Sequence, residues 1–204
     1  MITIANYGLG NILAFANVYK RLNVEVSIAE NADDLKAASK LILPGVGAFD
    51  HAMTLLDRSG MRKTLDDLVL GKFVPVLGVC VGMQILARSS DEGRLPGLGW
   101  IEGQVKSFRS LDLSETPPLP HMGWNDVRPV SSNKLFAHLE SGARFYFLHS
   151  YYFNCDRDED VLAVSSYGTD FSCAVNARNI FGVQFHPEKS HHYGSRLLKN
   201  FAEL

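Results

Sequence analysis

Cysteine is scarce in this sequence: 204 positions hold three, Cys80, Cys155 and Cys173, an odd number without CxxC spacing. That excludes a disulfide framework and argues against a structural zinc site, so each thiol has to be judged alone. Net charge is equally scarce, because 20 Lys and Arg nearly cancel 22 Asp and Glu. A balanced surface offers no electrostatic footprint for nucleic acid and no polybasic anchor for a membrane. Nothing resembles a membrane span, a repeat or a low-complexity tract, and the Pro-rich stretch Thr116 to Pro120 is too short to divide domains. Met1 to Leu9 lacks a basic leader and enters a strand-like run at once, which predicts a cytoplasmic protein. A hydrophobic fraction of 46% with 21% charged residues is ordinary for a globular chain. The expectation is one domain over 1–204, long enough to bury about 70% of its unfolded surface.

What is present is a rhythm. Ile2 to Ala5 reads as a strand, Ile12 to Leu22 as an amphipathic helix, Val24 to Ile28 as a strand and the region near Asp33 to Ala38 as a helix. Lys40 to Leu43 is again strand-like, Ala48 to Leu70 contains helical stretches, and Phe73 to Leu77 is strand-like. This alternation predicts an α/β fold with four parallel, buried strands flanked by helices. After the segment Cys80 to Arg88, in which Met83 to Leu86 reads as a helix, the texture changes to added strands: Gly99 to Phe108, Trp124 to Val130, Phe145 to Phe153, Val161 to Ser166 and Ser172 to Val175. A last strand, Ile180 to Phe185, precedes a helix from about His191 to Ala202. Reactive groups on open parallel sheets gather beyond the carboxyl ends of strands. Three such ends carry unusual residues: Pro44 to Gly47, Gly78 to Gly82 and His186 to Glu188.

Gly78-Val79-Cys80-Val81-Gly82 between a strand and a helical run is the thiol form of a nucleophile elbow. Flanking glycines permit a sharp turn that lifts the side chain, and a helix N-terminus favours the thiolate. Cys155 and Cys173 lie in strand-like runs without that frame and read as core. Gly182 to Glu188 ends an apolar strand in His186 and a carboxylate two residues on, with Pro187 fixing the bend. One imidazole nitrogen then takes the thiol proton while the other donates to Glu188. His51, His138, His191 and His192 lack such framing and read as solvated or packed, while His121 and His149 stay open. Gly8-x-Gly10 continues to Leu13 where a dinucleotide fingerprint needs a third glycine, so no cofactor is expected, and no metal.

Pro44 to Gly47, Gly78 to Gln84 and Phe185 to Glu188 together resemble the class I, or triad, glutamine amidotransferase family, over nearly the whole chain. Within it, Asn6 to Asn11, Pro120 to Asn125, His149 to Tyr152 and His186 to Ser190 are similar to glutaminase subunits that work with a separate cyclase. The resemblance implies a flavodoxin-like, mostly parallel sheet and L-glutamine as substrate. It implies that Cys80, His186 and Glu188 form a thioester-making triad, with an oxyanion hole from the backbone of Gly45, Val46 and Val81. It further implies that Gly47, Gln84, Glu92, His149, Ser150 and Tyr151 line the glutamine pocket.

The family produces ammonia, which water would protonate into a form without a lone pair, so a sheltered path to an acceptor is implied. The implied partner is a (β/α)8-barrel cyclase subunit in a heterodimer, and Asn11, His121, Met122, Trp124 and Lys189 match family positions at that interface. Asn6 stands where aspartate is usual in the family and Val81 where leucine is usual. Those departures leave open a paralogous role, supplying ammonia to a sugar-modifying amidotransferase instead of to histidine synthesis. A non-catalytic regulatory subunit is the reading of another class, and the intact Cys80, His186 and Glu188 set argues against it.

Overall fold

The computed structural model describes residues 1–110, 117–139 and 142–204; Thr116, where the Pro-rich stretch begins, lies outside them. Every residue of β1 (Ile2–Ala5) is buried, as an interior strand of a parallel sheet requires. Helix α1 (Ile12–Arg21) turns Phe15, Ala16, Val18 and Tyr19 inward and ends in Lys20 and Arg21, which suit the negative pole of its dipole. Strand β2 (Val26–Ala29) starts two residues later than expected. Asn23 adopts a left-handed φ of 55°, and the Val24 amide is spent on Tyr19 O at 3.0 Å, closing the helix before the strand can begin. Helix α2 (Ala32–Leu35) is a single turn capped by Asn31, whose side chain accepts from the Asp33 and Asp34 amides.

Strand β3 (Lys40–Gly45) runs two residues past its predicted end. Helices α3 (Phe49–Arg58) and α4 (Arg62–Asp66), with a π turn over Asp67–Gly71, fill the next crossover. Strand β4 (Val76–Cys80) is displaced three residues from Phe73 to Leu77. Phe73 has φ of 56° and the Val74 amide bonds back to Leu68 O, so this stretch belongs to the helix exit. The shift puts Cys80 on the last strand position. Helix α5 (Val81–Gln84) is one turn that starts two residues before the expected Met83 to Leu86, and the chain then folds back through Leu86 and Arg88 into β5 (Ser89–Ser90) and β6 (Gly103–Ser107).

The remaining strands are β7 (His121–Asp126), β8 (Arg128–Pro129), β9 (Arg144–His149), β10 (Tyr151–Cys155), β11 (Val161–Tyr167), β12 (Thr169–Ala177) and β13 (Ile180–Val183). Helix α6 (His191–Glu203) closes the chain. The main sheet runs β2-β1-β3-β4-β13-β12-β10-β6-β5, with β11 on β12 and β8 on β11. β2, β1, β3, β4 and β13 are mutually parallel; β2 is the edge and only half-buried, where full burial was expected.

Phe145 to Phe153, expected as one strand, breaks at Ser150. Its first half, β9, pairs only with β7 in a separate two-stranded ribbon, while β10 joins the main sheet beside β6 and β12. Strand β13 likewise stops two residues early because the chain changes sheets: the Gln184 amide still bonds to Cys173 O, but the His186 amide bonds to Tyr146 O of the ribbon at 2.9 Å. Among the described residues no helix is long and apolar enough to cross a membrane.

Candidate active site

The register of the parallel core builds the site. Val183 of β13 lies beside Val79 of β4, so the two chains leave the sheet together, one through Cys80 and the other toward His186. Cys80 itself carries the strain of the elbow, with φ of 56° and ψ of −115°, a region that L residues occupy only when their surroundings hold them there. The flanking glycines serve another purpose than the turn freedom expected of them: neither has a positive φ. A side chain on Gly82 would run into the Leu43 carbonyl, and one on Gly78 would meet the Gly82 backbone. They allow the elbow to pack flat on β3. With only one helical turn behind it, the sulfur receives little from a macrodipole and depends on specific partners.

His186 supplies one partner, sharing a side-chain hydrogen bond with Cys80. On the other side its Nδ1 donates to Glu188 Oε1 at 3.0 Å, with both side chains almost fully buried. Burial alone would pull the imidazole pKa down; the bonds to Cys80 and the Glu188 carboxylate outweigh it and lift the value to about 10. The ring therefore holds a proton that it can hand to a leaving group. Glu188 Oε2 is buried with no hydrogen-bond partner among the described residues, so its charge is directed at His186. The Ser190 hydroxyl donates to His186 O at 2.6 Å and accepts from the Tyr146 amide at 3.0 Å, pinning the turn that carries the imidazole.

Cys80 and His186 open onto a cavity of about 330 Å³ whose wall includes Val46, Gly47, Val81, Gln84, Glu92, His149, Ser150, Tyr151 and Lys189. Gly45 is not part of the wall; it is packed so closely on the Val81–Gly82 backbone that a Cβ has no room. Glu92 accepts from the Phe49 amide at 2.9 Å; burial pushes its carboxyl up, the Phe49 bond lowers it and Asp50 raises it again. Leu148 also lines the cavity, although nothing in the sequence pattern singled it out, and so does Pro120, which opens the Pro120 to Asn125 motif. Cys155 and Cys173 stand apart. Burial pushes Cys155 up to about 12 and Cys173 higher still, so both are held as thiols, though Cys155 is half-buried where full burial was expected.

Two residues to which the sequence motifs assign no role lie against Cys80 and the Pro44 to Gly47 turn. Gln184 is fully buried, and its Nε2 donates to Cys80 Sγ at 3.8 Å while its Oε1 accepts from Gln84 Nε2 at 3.1 Å. Its one signal was an uncharged amide in an otherwise apolar strand end. Tyr7, at the end of β1, donates to Pro44 O at 2.6 Å and so fixes the peptide that leads into Gly45. Burial and the neighbouring Cys80 push its hydroxyl above the usual range.

His121, expected at an outer interface, is only 3% exposed. It is clamped between Tyr167 and Phe147, with ring centroids at 4.1 and 4.7 Å. A chain of bonds fixes the tautomers: the Asn125 amide donates to His121 Nε2 at 3.2 Å, His121 Nδ1 to His149 Nε2 at 2.9 Å, and His149 Nδ1 to Tyr151 O at 2.8 Å. Each ring donates once and accepts once, which requires both to be neutral. Burial enforces this, pulling His121 down to about 4 and His149 to about 3.

The outer face of the β7–β9 ribbon is different. Met122 is 65% exposed and Trp124 39%, next to exposed Leu148, and Met122 is paired with Leu148 across the ribbon. His191, exposed at the start of α6, stacks flat on Trp124 at 5.2 Å. Asn11 is exposed at the head of α1 and its side chain makes no capping bond, and Lys189 is exposed at the cavity rim.

A profile of the family described as glutamine amidotransferase class-I matches residues 4–204. Among curated proteins, the imidazole glycerol phosphate synthase subunit HisH of Bdellovibrio bacteriovorus is 61% identical over 204 residues, covering all of both chains. The protein of the same name from Leptospira interrogans is 55% identical, again over all of both. Imidazole glycerol phosphate synthase subunit HisH 2 of Pseudomonas aeruginosa is 44% identical over the same span. Among solved structures, a glutamine amidotransferase superposes with a TM-score of 0.77 at 20% identity, covering 99% of this chain and 97% of that one. PurLQS from Thermotoga maritima gives 0.74 at 16% identity with the same coverage; at such identities the likeness is one of fold.

Proposed function

The chain belongs to the class I glutamine amidotransferase family, and from that premise we propose that it is the glutaminase subunit of imidazole glycerol phosphate synthase in histidine biosynthesis. The observation that carries the chemistry is the line of sulfur, imidazole and carboxylate opening onto one cavity. Cys80 attacks the side-chain amide carbon of glutamine, and the oxyanion is taken up by backbone amides of Val81 and the Gly45–Val46 turn. His186 gives its proton to the departing ammonia, leaving a glutamyl thioester on Cys80. Water activated by the same imidazole then hydrolyses the thioester to glutamate, while Glu188 holds the ring in one orientation. Gln84 and Glu92 hold the α-amino acid end, the carboxylate meeting its ammonium, and Gly47, His149, Ser150 and Tyr151 shape the wall.

Ammonia passes in sheltered form to a (β/α)8-barrel cyclase subunit in a heterodimer, whose lyase step completes imidazole glycerol phosphate. The subunit names of full-length relatives at 61% and 55% identity support this pairing. The exposed Met122 and Trp124 face supplies a surface of the composition that hot spots favour, and Asn11 and Lys189 are exposed as well.

The test is glutamate release by the purified chain with and without the cyclase subunit and its ribonucleotide substrate. Release coupled to imidazole glycerol phosphate, abolished in Cys80→Ala with partner binding unchanged, is the expected result. Absence of release in either state sinks the glutaminase reading; ammonia delivered only to a nucleotide sugar sinks the histidine assignment.

A further inference from the structure

We propose that Gln184 is a catalytic residue of this site: its side-chain amide donates a hydrogen bond to the Cys80 sulfur, favouring the thiolate before attack and receiving it again when the thioester breaks. This rests on the reading of Cys80 as the nucleophile.

Among the described residues the sulfur has three polar partners. His186 shares a hydrogen bond with it, Leu148 O lies at 4.0 Å and Gln184 Nε2 at 3.8 Å. The Leu148 carbonyl can serve only a protonated thiol. The amide can donate, and a donor is worth most to the charged form of its acceptor. Which end of the Gln184 amide meets the sulfur is decided by a chain of polarity that begins at the backbone. Tyr151 O cannot be reversed, and it accepts from His149 Nδ1 at 2.8 Å and from Gln84 Nε2 at 3.4 Å. Gln84 therefore presents Nε2, which also donates to Gln184 Oε1 at 3.1 Å. With its oxygen committed, Gln184 turns its Nε2 to Cys80. Reversing it would set two donors face to face in a site with no exposure.

The titratable groups around the sulfur are His186 with Glu188 behind it, Tyr7 from the end of β1, and Glu92 and Lys189 on the cavity wall. Gln184 differs from them in carrying no proton equilibrium, so its donation is the same at every pH. In attack the S–C bond forms and the donor is loosened. In thioester hydrolysis water adds, the C–S bond breaks, and the electron pair returns to a sulfur whose donor is already in place, so both half-reactions feel the amide.

Gln184→Leu and Gln184→Met remove the donor and keep the bulk. Alkylation of Cys80 by iodoacetamide, assigned by peptide mass and followed against pH, reads the sulfur without any need for glutamine. The expected result is a rate at neutral pH about tenfold lower, with the profile displaced about one unit toward higher pH, the effect of one lost bond to a charged group. Glutamine turnover falls by a similar factor. In the wild-type protein the Gln184 side-chain amide proton resonance moves upfield once Cys80 is alkylated. An unchanged alkylation profile in a variant of native circular dichroism, or a Gln184 resonance indifferent to alkylation, overturns the proposal. Wild-type protein that alkylates as described yet releases no glutamate either with or without the cyclase subunit and its ribonucleotide substrate overturns the nucleophile reading alone.

Discussion

At the scale of single residues the site is a set of buried groups that each have one task. Glu188 shows this most clearly: one oxygen faces His186 at 3.0 Å and the other is buried with no partner among the described residues. An unshared carboxylate charge in a dry site acts on its nearest cation with little screening. Glu188→Gln keeps an acceptor toward Nδ1 and removes that charge, so the His186 pKa should fall from about 10. A weaker base loses its proton at lower pH, and the alkaline limb of the turnover profile should move down with it. Turnover itself should drop about 10²-fold, the lower end of what positioned acid–base groups contribute. The pH dependence of kcat in the wild type and the variant checks this; identical limbs would remove Glu188 from the proton chemistry.

At the scale of elements, legibility followed the strength of local signals. The parallel half was readable because buried strands such as Ile2–Ala5 and Lys40–Gly45 are apolar on both faces and alternate with amphipathic helices. The three strand ends were readable because glycines, prolines and charged residues interrupt apolar runs there. The offset of β4 was not, since Phe73 and Val74 look like strand while their backbone closes a helix. The break of one aromatic run into β9 and β10 was hidden as well, because both halves alternate normally and only the partner strand differs. Gln184 carried no charge to mark it, and the inward turn of His121 depends on aromatic rings distant in sequence. The ribbon that this break creates is the element with a prediction of its own. It presents Met122 and Trp124 outward while its inner face holds His121 and His149. Trp124→Ala leaves the inner face intact and removes the larger exposed anchor, so affinity for the cyclase subunit should fall by a factor of about 30 or more. Calorimetric titration reads this, and undiminished affinity would place the interface elsewhere.

At the scale of the whole molecule the paired imidazoles set an acid limit on the fold. His121 and His149 are neutral in the folded state down to about 4 and about 3, because burial opposes their charge. In the unfolded chain both titrate near the ordinary value of about 6.5. Above that value neither state binds these protons and stability is unaffected. Below it the unfolded chain takes up two protons that the folded protein refuses, so stability falls as pH falls through this window and levels off once the folded rings protonate. His186 acts with the opposite sign, since its raised pKa gives its full contribution below about 6.5 and loses it as pH rises toward about 10. It therefore takes little part in the acid arm. Between pH 7 and pH 5 each buried ring should cost about 2 kcal/mol at most, from 1.36 kcal/mol per pH unit. Urea unfolding at the two pH values measures the sum, and His149→Gln, which offers the same chain of bonds without a titrating ring, should flatten the difference by about half. If the variant loses as much stability on acidification as the wild type, the neutral pair is not what limits the fold in acid.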